Sequence, residues 1–537
     1  MNATDSKVHD VAVVGAGFAG LYTVIHAIRQ NLDVLGLEAG GDVGGTWYWN
    51  RYPGARCDVE SIDYSYSFDE DLQQDWRWSE RYATQPEILR YLNHVADRHD
   101  ARRHYRFNTE VTAARWDEAA HLWRIDTGSG SASARWLVMA TGSLSKPVLP
   151  SLPGRDSFAG KVYLTAAWPA EGVDFTGLRV GVIGTGSSGV QSIPLIAEQA
   201  ASLTVFQRTA NYSVPAFNRG IGDEEWRQAI SDYPARRKES WNSASGTPWS
   251  SYAEVYEDLT DEERDRVLAK SWTRGGVLFG KTFQRQLTDP EINAAARSYF
   301  ETRLREIVHD PELAADLTPF DHPIGAKRVC TDSGYFETFL RPNVKLINLR
   351  RNPITAVTDS GIHTESGFHA LDAIVYATGF DALTGSLTSI DIVGRTGKTI
   401  RENWKDGPRT YLGLTVPGFP NLLTLNGPGS PSVLTNMSLG SEQQGAYALR
   451  LIMHATANGY SSAEPRTDSA VSWTATVNQE AEKTLFPDAP SWYTGANIPG
   501  KPRVFMPYVG GFNKYISILD EVAENAYRGF VFSENQS

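Results

Sequence analysis

The sequence predicts an α/β fold in which one unit of strand, glycine turn, helix and strand is laid down twice around a charged helical insertion. Three observations carry this: glycine turns at Gly15 to Gly20 and Gly184 to Gly189, two apolar strands that both end in Ala-Thr-Gly, and a shift to charged segments between about Gly220 and Ala315. At 537 residues the chain is long enough for three or four folding units of about 150 residues each.

Taken in order, Val11 to Val14 reads as a buried parallel strand, and the first glycine turn opens a helix through about Arg29. Val34 to Leu37 follows as a strand. Val180 to Ile183 leads into the second glycine turn, a helix, and the strand Leu203 to Phe206. Leu137 to Gly142 and Ile374 to Gly379 echo one another and mark where the chain passes between the repeated units. Within the helical stretch, Thr260 to Glu263 and Thr288 to Glu291 have capping-box spacing.

Composition excludes several classes. Hydrophobic residues make up 41% and charged residues 21%, ordinary globular usage. A net charge of -12 argues against broad binding to nucleic acid or anionic membrane. The stretch from Met1 to His9 is polar, unlike a signal peptide, and the longest apolar run, Val11 to Ile25, is short and broken by Gly15, Gly17 and Gly20. No membrane span is expected. Cys57 and Cys330 are too few and too far apart for a disulfide framework or a paired-thiol redox centre, and they suit a reducing cytoplasm. His94, His99 and His104, spaced by five, do not share a helical face, and the sequence holds no HExxH, so no metal site is expected.

The two turns are nucleotide fingerprints. Glycines let the backbone approach a pyrophosphate that rests on the positive end of a helix. Glu38, 18 residues beyond Gly20, can accept hydrogen bonds from ribose hydroxyls. The same count beyond Gly189 reaches Gln207, with Arg208 next. Replacing the acid and adding a guanidinium suits the extra phosphate of NADP, so FAD is assigned to the first turn and NADP to the second. The expectation is two Rossmann-like dinucleotide-binding domains.

The motif from Gly45 through Trp47, Tyr52, Pro53, Gly54 and Arg56 to Asp58 resembles that of the type I Baeyer-Villiger monooxygenases at every position. A second segment, Phe158 to Trp168 and Pro169, matches except at Leu164, where the family has histidine. Gly325 to Arg328, Gly427 to Met437 and Ser491 to Asn497 also look like family segments, and the likeness runs from about Asp10 to Phe530, nearest the phenylacetone and steroid monooxygenase branch.

The resemblance implies an FAD domain made of residues 1–143 and 381–537, an NADP domain made of 144–217 and 325–380, and a helical insertion at 218–324. It places FAD against Gly15, Gly17, Phe18, Gly20, Glu38, Thr46, Trp47, Asp58, Tyr64, Val111 and Met437. NADP would lie against Arg56, Gly184, Thr185, Gly186, Ser187, Ser188, Gly189, Gln191, Arg208, Thr209, Lys327, Arg328 and Trp492. Val433 and Leu434 would line the substrate pocket, and the loop of Trp492 would close over the nicotinamide.

Inserting oxygen beside a ketone carbonyl to give an ester or lactone requires a negatively charged flavin peroxide, and a fixed cation is its natural stabiliser. The resemblance places that cation at Arg328, which stays protonated while donating hydrogen bonds, and Asp58 would orient it. NADPH, O2 and a small-molecule ketone are the expected partners of a cytoplasmic monomer. Leucine at 164 can neither donate nor accept a hydrogen bond, so the effect of losing the histidine is expected in NADPH use or coupling. The nearest rival is an N- or S-oxidising flavin monooxygenase, which shares both fingerprints but is disfavoured by the Gly45 to Asp58 motif. Leu164 also raises a rival of another class, an impaired NADPH oxidase or nucleotide sensor, which Arg328 and Asp58 oppose.

Overall fold

Val11, Ala12 and Val13 are shut away from solvent on both faces, as a strand flanked by two parallel neighbours and covered by helices must be. The computed structural model that places them describes residues 3–249 and 254–534. Met1 and Asn2 of the polar amino terminus, residues 250–253 of the expected insertion and the last three residues lie outside the described residues.

The strand Ala3–Val14 sits inside an eight-stranded sheet, between Val34–Leu37 and Gly130–Met139, with both pairings parallel. The sheet continues through Leu122–Thr127 and Val111–Asp117 to Asp391–Val393, and Leu422–Thr424 joins it beside Gly130–Met139. Segments from opposite ends of the chain therefore complete one sheet. The helix Phe18–Arg29 packs on it and crosses the long helix Met437–Ala457. A Cβ at Gly445 would lie 2.6 Å from the Tyr22 ring, so the missing side chain sets how closely these helices approach.

The second sheet has five parallel strands in the order Val344–Asn348, Ser202–Gln207, Arg179–Ile183, Ala373–Tyr376 and Lys161–Leu164. Leu164 closes the edge strand opposite Tyr376 and packs half-buried against Ile183, Phe206 and Ile374, an apolar site that suits leucine.

The charged stretch forms the helices Asp223–Asn242, Asp261–Arg274, Pro290–Ile307 and Pro311–Leu317. They divide their loyalties. Trp226, Ala229 and Tyr233 of the first join the core of the first sheet, whereas Leu268, Ile292, Phe300 and Leu317 of the others join the second. Thr260 and Glu263 make the expected reciprocal cap. At the second expected box the cap is Asp289 rather than Thr288: its Oδ1 accepts from the amides of Glu291 and Ile292, and Pro290 takes the first helical position. A carboxylate followed by proline begins a helix better than threonine does, and Thr288 turns back to the Arg285 carbonyl instead.

Glu442, 2% exposed on the long helix, accepts from the Ser67 amide at 2.6 Å and the Ser67 hydroxyl at 2.7 Å, binding the helix to the segment that follows the first aromatic motif. Burial, against the pull of these two bonds, pushes its carboxyl up from 4.5 to about 7. Because the folded value lies above the ordinary one, its stabilising contribution is complete below 4.5 and is lost as pH rises through about 7. Glu442→Gln should therefore gain melting temperature relative to the native protein on going from pH 5 to pH 8; an unchanged difference would contradict this reading.

Candidate active site

Both glycine turns are built alike. Gly15 and Gly184 have φ of +110°, and a Cβ on either would lie 2.4 Å from a carbonyl oxygen, that of Ala140 or of Ala377. Those alanines belong to the paired Ala-Thr-Gly segments, so the echo seen in the sequence is the wall against which each turn is folded. Gly20 and Gly189 press their helices onto the same turns, with would-be Cβ atoms 1.8 Å and 2.3 Å from the carbonyls of Gly15 and Gly184. Each helix starts on a glycine, Gly17 or Gly186, with no side chain capping its first amides. Those donors and the positive helix end are free for an anion, and no atom stands within 4 Å of the place a Gly186 side chain would fill. The cradles fit two dinucleotides.

Around the first turn, Glu38 is buried at the end of its strand and accepts from the Ala16 and Gly40 amides, both at 2.7 Å. Burial raises its pKa against those bonds, and each oxygen keeps a lone pair for a ribose hydroxyl. Gly45, φ +52°, packs against Gly17, and Thr46 and Trp47 begin a short helix there. The Trp47 indole donates to the Tyr64 hydroxyl at 3.2 Å, and Phe18 meets the Tyr64 ring edge-on at 5.0 Å. Val111 is buried at the start of its strand, and Met437 opens the long helix.

At the second turn, the Thr185 hydroxyl donates to the Thr209 carbonyl at 3.0 Å, and Ser187 and Ser188 form the first helical turn. Gln207 is buried and donates to the Asp316 carbonyl, leaving exposed Arg208 as the cation beside the turn. Lys327 stands 3.4 Å from Asp321; burial and the nearby charge of Arg208 lower its pKa, and Asp321 opposes them. Gln191 joins the two halves: it accepts from the Tyr52 hydroxyl at 2.8 Å and donates to the Arg56 carbonyl at 3.2 Å. The Arg56 guanidinium turns to Glu80, 3.1 Å away.

The Asp58–Arg328 pair stands beside both turns, its charges felt by Tyr64, which Phe18 of the first turn meets, and by Cys330, which Ser187 of the second turn contacts. Arg328 Nε and Nη2 donate to the two carboxylate oxygens of Asp58 at 2.5 and 2.6 Å, a bidentate fork, while Nη1 donates to the Val433 carbonyl at 3.1 Å. Burial works against the guanidinium charge, but Asp58 outweighs it and holds the pKa above the ordinary value. A third of the Arg328 side chain stays accessible. Leu434 packs beside Val433, and Tyr493, which burial pushes up to about 12, lies close enough to feel the Arg328 charge as a neutral phenol. Trp492 rests on the Tyr493 ring, centroids 4.2 Å apart, in a loop pinned by Lys501 on Asp381 and by Asn497 on the Phe380 carbonyl.

Asp58, Arg328, Val433 and Leu434 thus converge, and Trp492 reaches them through Tyr493. Tyr493 was missed by sequence reasoning, although its place beside Trp492 was a signal; Asp321, six residues before Lys327, carried none. Cys57 and Cys330 are buried free thiols whose pKa values burial and Asp58 raise, which makes them poor nucleophiles.

A family model described as pyridine nucleotide-disulphide oxidoreductase matches residues 12–218. The chain is 42% identical over 529 residues to a Baeyer-Villiger monooxygenase of Pseudooceanicola batsensis, covering 97% of this chain and 96% of that protein. The chain belongs to the Baeyer-Villiger monooxygenase family. A solved steroid monooxygenase bound to NADP is 52% identical, with TM-score 0.94 over 98% of this chain and all of that one. A phenazine N-monooxygenase of Lysobacter antibioticus is 40% identical across 99% of both chains. As an FAD-dependent Baeyer-Villiger monooxygenase using NADPH, the chain has two Rossmann-like units whose cradles suit those cofactors, which other solved relatives hold together. The N- or S-oxidising alternative is not favoured. Among the described residues no helix is long and apolar enough to cross a membrane, and no cluster could hold a metal ion.

Gly20→Ala would place a methyl 1.8 Å from the Gly15 carbonyl. Its product, purified beside the native protein, should show a reduced ratio of flavin to protein absorbance; an unchanged ratio would contradict the assignment of FAD to this turn.

Proposed function

We propose that Arg328 is the catalytic cation of this enzyme, that Asp58 orients it, and that the substrate is a small-molecule ketone. The observation that carries this is the bidentate fork with its third bond to Val433, which leaves a permanently charged guanidinium fixed between the two nucleotide cradles. The overall change balances as ketone, O2, NADPH and a proton giving ester or lactone, NADP+ and water. Bound FAD and NADPH supply the electrons and the activated oxygen.

The residues of the chain do the rest. Arg328 offers N–H donors to negative charge that develops at the substrate oxygen, and being arginine it keeps its proton throughout. Asp58 limits its rotation. Val433 and Leu434 form an apolar wall for the ketone, and Trp492, tilted against the Tyr493 ring, helps exclude water from it. Arg208 and Lys327 would take the 2'-phosphate of NADPH, and Gln191 and Arg56 hold the halves together. The remaining FAD and NADP residues assigned from the sequence keep those roles in this proposal.

We also propose residues 1–143 and 381–537 as the FAD domain, 144–217 and 325–380 as the NADP domain, and 218–324 as the insertion. The two sheets support that division. A monomer in the cytoplasm fits the two unpaired thiols.

The purified protein should form esters from a panel of linear, aromatic and steroid ketones, with NADPH consumption matching ester formation for the best of them. A thioether and an aromatic N-heterocycle in the same panel address the likeness to a phenazine N-monooxygenase. If hydrogen peroxide accounts for nearly all NADPH consumed across the panel, or if only the heterocycle is oxidised, the ketone assignment is wrong.

A further inference from the structure

Asp58 and Asp63 lie five residues apart on one segment, and the structure gives the second a partner set of its own. The Asp63 side chain is 1% exposed. Its carboxylate accepts from Arg236 Nη2 at 2.7 Å and Nε at 3.3 Å, and from the Trp249 indole at 3.0 Å. Arg237, next on the helix Asp223–Asn242, donates to the carbonyls of Ile62 and Asp63 and to the Ser65 hydroxyl. The first insertion helix is thus clamped to residues 62–65 by two arginines.

The clamp continues to the pocket. The Asp63 carbonyl accepts from Asn436 Nδ2 at 2.8 Å, while Asn436 Oδ1 caps the long helix by accepting from the Ser438 amide at 3.2 Å. From the other side, the Ser245 carbonyl, just past the insertion helix, accepts from the Asn436 amide at 2.9 Å and the Thr435 hydroxyl at 3.0 Å. Thr435 and Asn436 directly follow Val433 and Leu434, and Val433 is the residue whose carbonyl Arg328 holds. The loop is fixed at one end by Arg328 and at the other by Asp63 and Ser245.

We propose that Asp63, paired with Arg236, is a positioning residue for the substrate loop 433–436, so that the insertion helix sets where the ketone stands relative to Arg328. This rests on the reading of Val433 and Leu434 as pocket residues. The physical reason is that a buried carboxylate held by three N–H groups of Arg236 and Trp249 has little freedom to shift, so the main chain carrying it presents a fixed carbonyl to Asn436. An insertion that merely decorated the fold would not need to hold both sides of that loop.

Two variants separate positioning from stability. Asp63→Asn keeps the shape and removes the charge that holds Arg236. Asn436→Ser keeps a good helix cap but cannot reach the Asp63 carbonyl. Both should raise the ketone KM about tenfold and increase the peroxide share of NADPH turnover, because small displacements of a reacting group are costly. The NADPH KM and the flavin content should stay at native values. A lower melting temperature in Asn436→Ser with native ketone KM and native peroxide share would overturn the proposal, whether or not Asp63→Asn folds. So would an equal rise in the NADPH KM, which would mean a general loosening. Leu434→Phe checks the underlying reading separately: if it leaves the ranking of ketones unchanged, the pocket assignment fails rather than the tether.

Discussion

The fork between Asp58 and Arg328 is the constraint on which the site depends. Removing one partner of such a pair leaves an uncompensated charge and costs about 3–5 kcal/mol where it is buried, so the two residues must be delivered to each other by the fold. One comes from the loop after the short helix Thr46–Trp49 and the other from the segment after the insertion, 270 residues apart. Bidentate geometry tolerates little rotation, so making the pair fixes the relative placement of the two nucleotide sheets at their junction.

That junction is reinforced where the pair is weakest. Tyr52, Gly54 and Arg56 dock on Gln191 of the second helix, within a few residues of Asp58. Lys501 and Asn497 pin the loop of Trp492 to residues 380–382, at the exit from the second sheet. The Val433 carbonyl takes the third bond of Arg328. One guanidinium therefore touches Asp58 and the Val433 carbonyl, and it feels the phenol beside Trp492.

Much of this was legible in the sequence because it is local. A glycine turn between an apolar strand and a helix has few other uses, and Glu38 after the first turn against Gln207 and Arg208 after the second gives the two turns opposite charge. The Ala-Thr-Gly echo was visible too, but not its purpose, since the contact of Ala140 with Gly15 and of Ala377 with Gly184 is tertiary. Asp289 displacing Thr288 as a cap could have been foreseen from Pro290. The division of the insertion between two cores, the burial of Glu442 and the route from Arg236 through Asp63 to Asn436 join residues far apart in sequence, for which no short-range pattern exists. Leu164 looked like a loss; in the fold it completes an apolar cluster at a sheet edge.

On the proposal for Arg328, the fixed guanidinium, and not merely two bound nucleotides, makes the site an oxygenase. Ester formed per NADPH consumed by Arg328→Ala, in preparations matched for flavin content, addresses it most directly. Ester yield should fall by about 10²–10³, the cost of removing one donor aimed at developing charge, while NADPH continues to be consumed. Ester yield near that of the native enzyme would contradict a catalytic role for Arg328.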